Sequence, residues 1–370
     1  MHISSSVLKN DEKAIFALRG LYRKYGYSQY KMSKFEAYDL YVRNKDCLVS
    51  DTIITFTDAA GKLMALKPDV TLSIIKNSAD EEKVVQKVYY NENVYRADKG
   101  GSYKEIMQMG LECLGSIDTY CIAEVLMLAA ESLRYIKEEF VLDISHMGII
   151  SPILEDIGAS HAARQEILRC IGEKNTHELM SLCEKENLDF LRLRDLITTY
   201  GTPDTVLPKL EAIRFSGNSG AIDDLKQVIS ALQKYGFGDK IRIDFSVIND
   251  MKYYNGFVFR GFLEGLASGI LSGGQYDTLM AKMGKKTGAI GFAIYLDMLE
   301  QLSAEEEDFD VDAVLLYDEG ADLEAIGDAV RLLTEGGRSV TAQKRVPEKL
   351  KYRQLLKLQE RGVEIIENHA

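Results

Sequence analysis

The sequence predicts an α+β protein, with one large sheet domain interrupted by a helical insertion and followed by a small α/β unit. Three observations carry this reading. Two Val-, Tyr- and Met-rich stretches between Val84 and Gly115 alternate as strands do, residues 150 to 235 carry helical patterns, and strand-like runs return from Lys240 onward. The expected boundaries are a core over residues 1–303, an insertion at about 150–238 and a C-terminal unit over 310–370.

The first element is an amphipathic helix from about Asp11 to Tyr25. Ile15, Leu18, Leu21, Tyr22 and Tyr25 share a stripe, Asn10 or Asp11 caps it, and Gly26 stops it. Phe35 to Leu40 and Thr52 to Thr57 have strand composition, and Asp58-Ala59-Ala60-Gly61 is a turn. A helix around Leu72 to Ile75 follows Pro68, and Val84 to Asp98 is a strand. In Glu105 to Gly115, Met107, Met109, Leu111 and Cys113 face one side, while Gln108, Gly110 and Glu112 face the other. A glycine between two polar residues leaves room for a ligand. A half-exposed strand with Gln and Glu in water is the plain alternative.

Thr119 to Glu138 is a helix. The insertion, read as wholly helical, breaks at Gly201-Thr202-Pro203 and Ser216-Gly217-Asn218. Lys240 to Ile248 and Tyr253 to Phe262 return the chain to the sheet. Ser272 to Asp277 fits a turn whose glycines supply positive φ. Gly288 to Leu302 reads as a strand running into a helix. The acidic stretch Ala304 to Phe309 links to a βαβ-type unit of about 60 residues, near the lower limit for an independent domain.

Composition narrows the function. The 370 residues are 46% hydrophobic and 28% charged, which fits a globular cytoplasmic protein, and a net charge of 45 − 57 = −12 disfavours broad nucleic-acid binding. The five cysteines form no C-x-x-C pair and the five histidines are scattered, so we expect reduced thiols, no metal site and no cofactor. No apolar run approaches the ~20 residues of a membrane span, and the N-terminus lacks a signal-peptide core.

Singly, the candidate motifs are weak: Asp69 and Thr71 in ALKPDVT fit ordinary helix caps, and Arg96 fits a surface ion pair. Their order and spacing together resemble the class II aminoacyl-tRNA synthetases, and among them the histidyl enzymes, over roughly residues 10 to 300. ALKPDVT is similar to that family's amino-group loop, and VYRAD with YKEIMQMGLECLG is similar to motif 2. KYYNGFVF and SGGQYDTL are similar to the two histidine signatures, and GAIGFAIYLDML to motif 3. The N-terminal helix with FEAYDL is similar to the dimer-forming motif 1, although that motif's proline falls at Ser33. The resemblance implies an antiparallel sheet flanked by helices.

The departures bear on function. Arg96 matches the arginine that contacts the α-phosphate of ATP, but the family's other arginines fall at Ser102, Asn249 and Met298. Adenylation develops charge on a five-coordinate phosphorus, and losing one preorganised donor costs about 10²–10³-fold in rate. Ser, Asn and Met cannot replace bidentate guanidinium groups. The resemblance keeps the amino-acid pocket: Asp69 (Glu in the synthetases), Thr71 and Gln108 for the ammonium, Glu112 and Tyr254 for the imidazole, and Tyr276 closing the site. The ligand's carboxylate loses its arginine to Asn249.

A synthetase core with this pattern is similar to the regulatory subunits of ATP phosphoribosyltransferase, the first enzyme of histidine biosynthesis. VLDISHMGII and GKLMALKPDVTLSIIK resemble segments of that family, and the C-terminal unit resembles a truncated anticodon-binding domain. The resemblance implies no catalysis by this chain and a self-dimer through the core. It also implies a hetero-octamer with a short catalytic subunit, which this chain activates and which L-histidine feedback-inhibits. A divergent histidyl-tRNA synthetase, or another synthetase-like sensor of histidine or tRNA, is the alternative.

Overall fold

The computed structural model describes residues 8–45, 53–81, 83–97, 101–213, 218–248, 254–302, 309–359 and 362–369. The chain divides into two compact units, Met1–Leu302 and Ser303–Ala370.

In the first unit, helix α1 (Asn10–Lys24) buries Ala14, Ile15, Leu18, Leu21 and Tyr22. Its start is held by the Glu12 carboxylate, which accepts the Lys9 N–H at 3.0 Å, and not by a cap at Asn10 or Asp11. Strand β1 (Ser28–Gln29) follows. The FEAYDL segment divides into β2 (Phe35–Ala37) and α2 (Tyr38–Val42), because the helical turn sinks Tyr41 into a core. In the Thr52 to Thr57 run, β3 (Thr55–Thr57) pairs with β4 (Leu63–Leu66) across the expected turn, with Gly61 at φ 80°; Thr52 lies outside the described residues. Helix α3 (Thr71–Asn77) leads to the long strands β5 (Val85–Ala97) and β6 (Tyr103–Gly115), then α4 (Thr119–Ile136) and β7 (Phe140–His146).

Helices α5 (Met147–Asp156), α6 (His161–Gly172), α7 (Thr176–Glu186) and α8 (Phe190–Thr198) start the insertion. It is not wholly helical. At the Gly201 break the chain forms a two-residue strand, β8 (Tyr200–Gly201), before α9 (Pro203–Ala212) and α10 (Asn218–Lys234). The Lys240 to Ile248 run is strand only over β9 (Ile241–Asp244). There the Asp244 carboxylate accepts the Ser246 N–H at 2.8 Å and turns the chain into a 3₁₀ segment, Phe245–Ile248. Strands β10 (Phe257–Leu263) and β11 (Leu271–Gln275), helix α11 (Asp277–Lys282) and strand β12 (Gly288–Tyr295) complete the unit, ending in a 3₁₀ segment where a helix was expected.

The strands form one nine-stranded sheet in the order β1-β5-β6-β12-β11-β10-β7-β9-β8. Its middle, β5 to β7, is antiparallel; the β1–β5 and β7–β9 pairs are parallel. One face of β6, with Met109, Leu111 and Cys113, packs on α1 and α4 in the main core. A second core, with Tyr41, Ala65, Leu72, Tyr90 and Met280, lies on the other face.

Within the Ser272 to Asp277 run, Ser272–Gln275 belong to β11 and are not a turn, and Tyr276 and Asp277 open α11. Gly273 and Gly274 are absent from the positive-φ positions, and their role is close approach. A Cβ on Gly273 would stand 2.5 Å from the Gly291 carbonyl oxygen and 2.6 Å from Phe259 Cζ.

The second unit has a four-stranded sheet, where a simpler βαβ unit was expected. Strand β13 (Val311–Leu316) leads through α12 (Leu323–Glu335) to β14 (Val340–Gln343), and β15 (Tyr352–Gln359) and β16 (Gly362–Asn368) follow in the order β14-β13-β15-β16. The charged strand YRQLLKLQ carries no clean alternation and is the element the sequence pattern hides.

A paired substitution tests this account of the glycines. Gly273→Ala is expected to cost about 1–3 kcal/mol, because the clash is with backbone. Gly20→Ala, at an exposed position of α1 with nothing within 4 Å, is expected to stabilise by about 0.5–1 kcal/mol. Denaturant unfolding of both variants reads the two signs.

Candidate functional site

A cavity of about 260 Å³ lies on the second face of the sheet. Register explains why it exists. Across the sheet, Tyr90, Gly110, Ala293, Ser272 and Arg260 pair in one row, and Glu112, Gly291 and Gly274 pair in the next. The middle of both rows carries glycine, alanine or serine, so the floor is low there and long side chains rise around it.

The cavity is lined by Asp69, Thr71, Arg96, Gln108, Glu112, Tyr254, Tyr276 and Met298. The structure thus brings together all six residues of the expected amino-acid pocket, with Arg96 and one of the lost arginine positions. Ser102 lies outside this lining, exposed at the entry to β6. Asn249 lies outside the described residues. Gln108 and Glu112 are 3% and 2% exposed, so this face of β6 does not bathe in water. The space above Gly110 is not open to a ligand, however: a Cβ there would be 2.5 Å from the Tyr90 hydroxyl, which fills it.

Glu112 is the centre of the site. Thr71 Oγ1 donates to its Oε1 at 2.8 Å and Tyr276 Oη donates to its Oε2 at 2.5 Å. The carboxylate lies flat against Gly291, where any Cβ would collide with Oε2. Burial pushes the carboxyl up to about 8, with the Tyr276 and Thr71 hydrogen bonds pulling the other way and the charge of Asp69 adding to the rise.

Tyr276 is fixed by its neighbour Asp277, whose Oδ1 accepts the Ala289 N–H at 2.9 Å and whose Oδ2 accepts Gln275 Nε2 at 2.8 Å. Tyr254 rests over Gly274, its ring 6.3 Å from that of Tyr276.

Asp69 stands both at the start of α3 and in the cavity lining. Its Oδ1 accepts the Leu72 N–H at 2.9 Å as a helix cap, and the residue also lines the cavity. Burial raises its pKa, opposed by that bond and by the charge of Arg96. Thr71 is not a cap; its hydroxyl belongs to Glu112. The loop before Asp69 is pinned twice. Lys67, fully buried, pairs with Glu92 at 2.5 Å, and Arg96 Nε donates to the Pro68 carbonyl at 3.0 Å. Arg96 is therefore a brace of this loop as well as a cation in the cavity.

Sequence reasoning missed Tyr90, Arg260, Ser272, Gly291, Ala293 and Tyr295 in the lining. The signal was present for Arg260: in FVFRGF it alternates with Phe257 and Phe259, which face the core. Its place on the cavity floor follows only once strand partners are known.

Residues 5–299 match the histidyl-tRNA synthetase family model. The chain is 31% identical over 288 residues to the ATP phosphoribosyltransferase regulatory subunit of Alkaliphilus metalliredigens, covering 75% of this chain and 73% of that protein. It belongs to the family of these regulatory subunits. Another member, from Acetivibrio thermocellus, is 28% identical over 316 residues, covering 82% of this chain and 75% of its own length. A regulatory subunit/histidyl-tRNA synthetase structure from Bacillus halodurans superposes with a TM-score of 0.75 at 22% identity, covering 96% of this chain and 99% of that one. A chain of an ATP phosphoribosyl transferase complex from Thermotoga maritima gives 0.62 at 21%, covering 77% and 97%. These two structures share the fold.

The raised pKa of Glu112 sets a pH dependence. The folded state holds this proton more tightly than the unfolded chain, so the cost of burying the carboxylate is absent below about pH 4.5. It grows as pH rises and is complete above about 8. Without ligand, wild type is expected to lose a few kcal/mol relative to Glu112→Gln between pH 5 and 8.5. Parallel denaturant titrations of the two proteins check this, and parallel pH curves would contradict it.

Proposed function

We propose that this chain is a non-catalytic regulatory subunit of ATP phosphoribosyltransferase that binds L-histidine in the cavity on the sheet. The observation that carries the reading is a buried, doubly hydrogen-bonded Glu112 in a cavity that also gathers Asp69, Thr71, Gln108, Tyr254 and Tyr276. Imidazole offers two ring nitrogens, and Glu112 with the Tyr276 and Tyr254 hydroxyls offers matching partners. An ammonium group fits Asp69, Thr71 and Gln108. Nothing in this reading requires a cofactor or a metal.

The chain then acts through a partner. We propose a short catalytic subunit lacking its own regulatory domain, in a cytoplasmic hetero-octamer, activated by this chain and inhibited when histidine binds. Inhibition requires histidine to bind the inactive arrangement of the complex more tightly than the active one. Self-association through the N-terminal elements is supported by exposed Phe35, Phe56 and Leu63 on the small sheet β2-β4-β3, with the two phenylalanine rings 5.2 Å apart.

Calorimetry of L-histidine into the chain, alone and with the catalytic subunit, tests the reading. Binding weakened about 10-fold or more in Asp69→Ala and Glu112→Gln supports it. Histidine-dependent exchange of pyrophosphate into ATP by the chain alone would overturn it in favour of a synthetase.

The same site sets a pH optimum. Free imidazole holds its proton below about 6.5, and the empty Glu112 carboxyl holds one up to about 8. The complex needs one proton between them. Below 6.5 binding must release a proton, above 8 it must take one up, and affinity is expected to be highest between these limits. Glu112→Gln is expected to lose the upper limb. An affinity still rising above pH 8.5 would contradict Glu112 as the imidazole partner.

A further inference from the structure

We infer that Arg260 anchors the α-carboxylate of the amino acid held in this cavity, supplying the positive charge that position 249 no longer offers. The inference rests on the histidine reading above. Arg96 and Arg260 are the cationic residues among the described lining of the cavity. Arg96 belongs to the ammonium end. Its Nε is given to the Pro68 carbonyl, one residue before Asp69, and its charge acts on Asp69. Arg260 comes from the opposite side of the floor, three strands from β6, or roughly 14 Å at the spacing of neighbouring strands.

Arg260 lies along the cavity wall, its guanidinium carbon 5.6 Å from the centroid of the Phe262 ring. Its cross-strand partner is Ser272, whose partner is Ala293, and the Tyr295 hydroxyl stands 3.4 Å from Ser272 Oγ, a polar neighbour beside Arg260 in the lining. Its stem lies on Gly269, another lining residue. A Cβ at Gly269 would stand 2.5 Å from Arg260 Nε and 2.8 Å from Cγ, so a glycine is what lets the side chain lie flat along the cavity wall. On the next strand, Asp143 pairs in register with Arg260, and that carboxyl, buried and raised to about 7, is pulled back by the Lys174, Arg242 and Arg260 charges. Asp143 thus gives Arg260 a neighbouring acid, and a guanidinium has the planar geometry that suits a carboxylate. With the imidazole at Glu112 and the ammonium at Asp69, the third group of the amino acid is left to this side.

Histamine separates the parts, because it keeps the imidazole and the amine and lacks the carboxylate. Calorimetry of L-histidine and of histamine into the full chain, as wild type, Arg260→Gln, Arg260→Lys and Arg96→Gln, tests the assignment. We expect Arg260→Gln to weaken L-histidine about 10-fold or more and leave histamine unchanged, erasing the preference between them. Arg260→Lys, which keeps the charge, is expected to retain part of that preference. An undiminished preference in Arg260→Gln, or a preference erased by Arg96→Gln instead, overturns the inference and leaves the histidine site standing. Equal loss of both ligands in both Arg260 variants would make Arg260 a structural residue and overturn it as well. If wild type binds neither ligand, the histidine reading itself falls and takes this one with it.

Discussion

A carboxyl group buried at the centre of a sheet has to be held by something, and the architecture around Glu112 follows from that need. Strand β6 turns Met109, Leu111 and Cys113 into the main core, which forces Gln108 and Glu112 onto the opposite face. There Glu112 is almost out of reach of water, and the cost is offset by hydroxyls from two different segments, Thr71 at the start of α3 and Tyr276 before α11. Each donor is itself fixed. Thr71 follows a loop tied down by the Lys67–Glu92 pair and the Arg96–Pro68 bond, and Tyr276 sits beside the Asp277 network. A carboxyl held from both sides in this way is fixed in position by the fold itself.

The glycines complete the arrangement by what they exclude. Gly291 lets the carboxylate lie flat, Gly274 gives Tyr254 its place, and Gly269 carries the stem of Arg260. None of the three lies at positive φ. Their freedom from a Cβ is used for proximity, which is why SGGQ, readable as part of a turn, lies in a central strand. Met298 lines the same cavity, at a position where the resemblance to the synthetases led us to expect an arginine.

Much of this was legible in the sequence. The alternation in MQMGLEC placed Gln108 and Glu112 on one face correctly, and the motif order brought Asp69, Thr71, Tyr254 and Tyr276 to the same cavity. What escaped was information that needs strand partners. The row joining Gly110 to Arg260 spans strands distant in sequence, so neither the Tyr90 hydroxyl filling the gap at Gly110 nor Arg260 on the floor is visible along the chain. Local polar geometry also escaped. Asp244 ends β9 by bonding to Ser246, and Glu12, not Asn10 or Asp11, secures the start of α1. Short strands with mixed patterns, Tyr200–Gly201 and Tyr352–Gln359, are set by their neighbours and not by their own periodicity.

The most direct test of the central claim is a crystal structure of the chain grown with L-histidine. The account requires one imidazole nitrogen within hydrogen-bond distance of Glu112, between Tyr276 and Tyr254, with the ammonium group toward Asp69. Histidine bound with its ring away from Glu112, or at another place on the molecule while this cavity stays empty, would contradict it.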